Sequence, residues 1–183
     1  NNVLPLYLTS LRQGKITQDY TQADQLLESL KGYQKKYGAK VIPTDDQINA
    51  EIYYNKYDIF KRLFSWYMYA GTLMFFLLIT QMLYDVGFLR GLVGFFVVLI
   101  SLLFVLHTAG LAARWYISGH APWSDAYESM IYVAWATMAF GVMLGHKSNL
   151  TFASTAFVTA MILMIAHWNW MDPSIGNLQP VLN

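Results

Sequence analysis

The residue types best suited to chemistry crowd into one stretch, Arg114-Trp115-Tyr116-Ile117-Ser118-Gly119-His120-Ala121-Pro122-Trp123-Ser124-Asp125-Ala126-Tyr127-Glu128-Ser129. An imidazole such as His120 can ligate a metal or carry protons near neutral pH. Arg114 can bind a carboxylate through a planar fork of N–H groups, and Glu128 can balance either charge. Gly119 and Pro122 read as a tight turn. Ser124 or Asp125 can cap a following helix, and with Asp125 as cap, Glu128 falls where a capping box needs an acid. Both acids also suit the positive end of a helix. Capping accounts for Pro122, Ser124, Asp125 and Glu128; it leaves His120, Arg114 and the aromatics Trp115, Trp123 and Tyr127 to be explained.

The elements that must hold this stretch are apolar. Four runs, 64–84, 91–113, 125–145 and 150–168, are free of charge except for Asp125 and Glu128 at the start of the third. Each approaches the roughly 20 apolar residues that cross a bilayer core. The expectation is an all-α membrane protein of four transmembrane helices, with 114–124 linking the second and third. Residues 1–62 carry nine of the 12 Lys and Arg and seven of the 11 Asp and Glu. They read as a polar helical arm preceding a membrane region over 63–183. Within the arm, Thr21 is expected to cap a helix ending near Gly38. A second helix starting at Asp45 or Asp46 has no Gly or Pro before Tyr69, which predicts one rod running into the first span.

The chain has no Cys, which excludes disulfides and thiolate sites within these residues. No basic stripe with interleaved aromatics supports nucleic-acid binding. Phosphate loops, Gly-x-Ser-x-Gly and paired His–Glu metal motifs are lacking, so no catalytic residue is named and no protein-built metal site is expected. Asn1 in place of Met, with no charged leader before an apolar core, gives no signal peptide. The chain reads as an internal part of a longer protein.

Span alternation places the arm, the 114–124 segment and the Asp172 tail on one side, and the turns at 85–90 and 145–149 on the other. Short-loop charge is equivocal: Arg90 and Lys147 face Arg114, Lys61 and Arg62. Trp66, Trp115, Trp123, Trp168 and Trp170 all fall at the arm side, with Trp135 inside a span. This is either an interfacial belt or a surface for something flat and apolar. His107 lies about 10 Å below the boundary, where a hydrogen bond to a neighbouring helix competes with ligation of a cofactor. His167 sits near the arm-side end of the fourth run and could pair with it across the bundle. His146, beside Lys147, is expected in solvent.

The pattern Arg-Trp-x-x-Ser-Gly-His-x-Pro-x-Ser-Asp-x-Tyr-Glu-Ser resembles the signature loop of the CcsA/ResC family of system II cytochrome c assembly. The likeness extends to Trp135 and to Leu178-Gln179-Pro180-Val181-Leu182-Asn183. More weakly, the arm resembles the extracytoplasmic end of the CcsB half of fused CcsBA synthases. The resemblance implies a protein that carries haem (b-type, non-covalently held) across the bacterial inner membrane. It would attach that haem to apocytochromes bearing Cys-x-x-Cys-His, with a CcsB/ResB-like partner or fused half. It implies that residues 1–62 and the 114–124 loop lie outside, and that Arg114, Trp115, His120, Trp123, Tyr127 and Glu128 line the haem pathway. Arg114 would meet a haem propionate. The family's axial histidines and Trp-rich motif are expected beyond Asn183, leaving synthase activity undecided for this chain. A haem or solute exporter without chemistry and a non-catalytic anchor are the rival readings.

Overall fold

The computed structural model describes residues 3–38, 42–84, 86–145, 148–168 and 171–175. His146, Lys147, Trp170, Asp85 and the 178–183 segment lie outside them. The chain divides into two compact units, residues 1–45 and 46–183.

The first unit pairs α1 (Val3–Thr17) with α2 (Thr21–Tyr37). Thr21 opens α2 as its first helical residue, and the capping acceptor sits two residues earlier. Asp19 Oδ1 takes the Thr21 N–H at 3.0 Å and its hydroxyl as well. Gly38 closes the helix by donating to the Gln34 carbonyl at 2.7 Å.

The second unit contains α3 (Asp45–Tyr57), α4 (Ile59–Leu83), α5 (Gly87–Ser118), α6 (Ala126–Gly145) and α7 (Asn149–His167). The fold is all-α, with four helical stretches long and apolar enough to span a membrane. The expected unbroken rod from Asp45 is interrupted at Asp58, which takes a left-handed conformation (φ 42°, ψ 58°) between α3 and α4. Asp is among the few side chains that tolerate this region, and its carboxylate is drawn to His167 at the end of α7. The division into compact units falls between Asp45 and Asp46.

Buried positions follow a seam with spacings of three and four residues: Phe60, Leu63, Tyr67, Ala70 and Met74 on α4, and Ala153, Ala156, Ala160 and Leu163 on α7. In lipid, apolar contact alone does not drive helices together; small residues that permit close approach do. Gly141 shows the requirement, since a Cβ there would lie 2.7 Å from Thr155 Cβ on α7.

Candidate functional site

Helix α5 runs five residues past its expected end at 113, so Arg114 and Trp115 belong to its last turn and the true loop is 119–125. Gly119 stops the helix in the left-handed region (φ 72°), its N–H donating to the Trp115 carbonyl. Ser118 then steadies the turn by donating to the His120 carbonyl at 2.9 Å and accepting the His120 N–H.

At the start of α6 the expected capping box appears in shifted form. Asp125 Oδ1 accepts the Glu128 N–H at 2.6 Å. Glu128 reaches back past the cap, where Oε2 takes the Ser124 N–H at 2.9 Å and the Ser124 hydroxyl at 2.6 Å. Its other oxygen, Oε1, accepts from Arg114 Nε at 2.8 Å. Arg114 and Glu128 are both fully buried.

Arg114 is the hub. Nη1 donates to the Pro173 carbonyl at 2.9 Å and Nη2 to the Ser174 carbonyl at 3.0 Å. Cζ sits 5.0 Å over the Tyr127 ring, a cation–π contact, and Asp125 Oδ2 is 3.9 Å from Nη2. One guanidinium thus ties the end of α5, the start of α6 and the segment after α7. That segment is itself shaped by Asp172, whose Oδ1 accepts the Ser174 N–H at 2.9 Å. The same contact, with the Ser174 hydroxyl, holds the Asp172 carboxylate below its ordinary value. The Tyr54 hydroxyl is buried beside this hub yet makes no well-formed hydrogen bond. Three of the five guanidinium N–H groups face Glu128 and two carbonyls, and because Arg114 is fully buried an incoming anion could reach the other two only if the surrounding packing opened.

The three described histidines sort by which ring nitrogen is free. His107, wholly buried, has Nε2 3.1 Å from the Ile131 carbonyl of α6. A carbonyl only accepts, so Nε2 carries the proton; Nδ1 is buried without a partner, with Phe60 and Tyr67 packed around the ring. His167 has Nε2 3.1 Å from Asp58 Oδ1 and again a buried, unpartnered Nδ1. No hydrogen bond or ring contact joins His107 to His167 among the described residues. His120 is the reverse case: Nδ1 lies 3.2 Å from the Ala121 carbonyl and Nε2 has no partner. Nδ1 is flanked by Cβ, which hinders approach of a bulky ligand, whereas Nε2 lies at the far edge of the ring and is itself buried.

Trp115 and Trp123 are exposed, while Tyr127 is buried under Arg114. Trp123 heads a row of rings that residue spacing alone did not single out. It meets Tyr132 edge-on at 5.6 Å, Tyr132 stacks on Trp135 at 5.6 Å, and Trp135 stacks on Phe104 at 5.9 Å. Trp135 Nε1 donates to Thr108 Oγ1 at 2.9 Å. The usable signal was the three-residue step from Tyr132 to Trp135 on one helix face; Phe104 comes from another helix.

Fold and site together define an integral membrane protein whose polar chemistry gathers at one end of a four-span bundle. In sequence it is 34% identical over 163 residues, 89% of its length, to protein NrfI of Wolinella succinogenes, of which it covers 18%. It is 36% identical over 59 residues to cytochrome c biogenesis protein CcsA of Lotus japonicus, covering 32% of this chain and 18% of that protein. With CcsA of Prochlorococcus marinus the figure is 39% over 67 residues, 36% of this chain and 22% of that protein. The chain spans about a fifth of the length of these curated relatives. No family model matches it. The chain is thus similar in sequence to CcsA-type cytochrome c biogenesis proteins.

Proposed function

We propose that the chain forms the outer-face end of a haem-handling cytochrome c biogenesis protein, in which His120 would help to hold the haem iron. The observation that carries this reading is the His120 tautomer. Its Nδ1–H donates to the Ala121 carbonyl, leaving the Nε2 lone pair unpartnered. A backbone carbonyl orienting a histidine through its second nitrogen is the usual support for a metal-binding imidazole. Nε2 is shielded within the loop, so ligation requires 119–124 to swing outward from Gly119. When bound, haem supplies the vinyl groups that apocytochrome thiols would attack. The chain's own part is to hold and orient it.

In this reading Arg114 and Glu128 brace the loop on both flanks. Tyr127 seats the guanidinium, and Asp125 and Ser124 set where α6 begins. Trp115, Trp123 and the ring row below Trp123 offer flat apolar faces to a macrocycle. The loop and residues 1–62 face the outside of a bacterial inner membrane. The chain belongs to a longer CcsBA-type protein, or to one working with a CcsB/ResB-like partner, that serves Cys-x-x-Cys-His apocytochromes.

The test is His120→Ala in the full-length protein. Haem content, read from absorbance, and cytochrome c maturation should both fall, and added imidazole should restore them in part. Haem content and maturation equal to wild type would refute the ligand role.

A further inference from the structure

The cavity of about 540 Å³ between the starts of α4 and the end of α7 has a chemistry the haem reading does not use. Its polar element is Asp58 and His167. Asp58 sits in the left-handed break between α3 and α4 and accepts from His167 Nε2 at 3.1 Å. This carboxylate fixes the imidazole with its Nδ1 lone pair buried and unpartnered. Lys61 and Ser65 also line the cavity, and Phe64, Met164 and Trp168 make its walls mainly apolar.

We propose that this cavity binds the head group of a lipid-soluble quinone or quinol. A quinol hydroxyl donates to the Asp58 carboxylate, which His167 holds in place, and a quinone carbonyl accepts from the Lys61 ammonium or the Ser65 hydroxyl. The flat ring lies between Phe64, Trp168 and the Met164 thioether. The volume falls in the ordinary range of small-ligand sites. Lys61 and Trp168 mark the polar boundary of the spans, the level at which a molecule dissolved in the bilayer presents its head group. A porphyrin fits less well, because His167 Nε2 is committed to Asp58 and Nδ1 is hindered by Cβ. A phospholipid phosphate would meet the Asp58 carboxylate. The inference is independent of His120, which lies on a different loop.

The experiment uses the full-length protein in lipid nanodiscs, titrated with decylubiquinone and with a short-chain menaquinone, and followed by tryptophan fluorescence. Trp168 lines the cavity, so binding should quench saturably, and Trp168→Phe should remove most of that signal. His167→Leu and Asp58→Asn should each weaken binding by about tenfold or more. Asn tolerates the left-handed backbone at position 58, so that variant removes the charge without closing the break. Should His167→Leu fail to fold, Ser65→Phe fills the cavity and must abolish binding. Non-saturable quenching, or unchanged affinity in folded His167→Leu, overturns the proposal. So does a fall in haem content in that variant with no quinone binding in wild type, which would assign His167 to haem instead.

Discussion

Replacing Glu128 by Gln isolates one charge in an otherwise unchanged volume. Gln keeps an oxygen that can accept from Ser124 or Arg114, so the structural loss is the counter-charge of a fully buried guanidinium. Asp125, 3.9 Å away and partly exposed, replaces only a little of it. Removing one partner of a buried pair costs about 3–5 kcal/mol, because the other charge stays behind uncompensated. With Asp125 nearby, about 3 kcal/mol is expected, equivalent to about a hundredfold change in a local opening equilibrium. The Ser124 amide is the reporter, since it donates to Glu128. In the full-length protein its hydrogen exchange should accelerate by about that factor, along with amides across 119–125. The double variant Arg114→Met with Glu128→Gln should recover about 2 kcal/mol of the summed single losses, as expected for directly coupled residues. Exchange at Ser124 within twofold of wild type in Glu128→Gln would refute the assignment of Arg114 and Glu128 as the brace.

Two further expectations follow from the packing and from the first unit. Gly141→Ala should destabilise by about 1–3 kcal/mol because the new methyl meets Thr155. Gly94→Ala, where nothing lies within 4 Å, should be neutral or stabilising, and thermal unfolding in detergent distinguishes the two. The Asp19 carboxylate is held below its ordinary value by the Thr21 hydroxyl and N–H. Its folded-state value is therefore lower than its unfolded one, and its contribution to α2 is present above the unfolded value and lost as pH falls through the folded one. The protection of the Thr21 amide, taken relative to its intrinsic exchange rate at each pH, should fall as the pH drops below about 4, and Asp19→Asn should flatten that dependence.

Much of this architecture is a local property of the chain. Uncharged runs near 20 residues specify helices for a simple reason: in hydrocarbon each backbone N–H and C=O must be satisfied within its own segment. The cap at Asp125 and the inward reach of Glu128 were legible because both partners lie within one helical turn. The break at Asp58 was not, because it answers to His167, 109 positions along the chain. Likewise Arg114 finds its carbonyls 59 and 60 residues away. Sequence could place His107, His120 and His167 near one boundary. Which nitrogen each leaves free was decided by the carbonyl or carboxylate that packing delivered to the other; for His107 that group sits on another helix and for His167 in the break between α3 and α4. A buried polar group takes the partner that tertiary packing brings within 3 Å or so, and no spacing rule within a single segment encodes that choice.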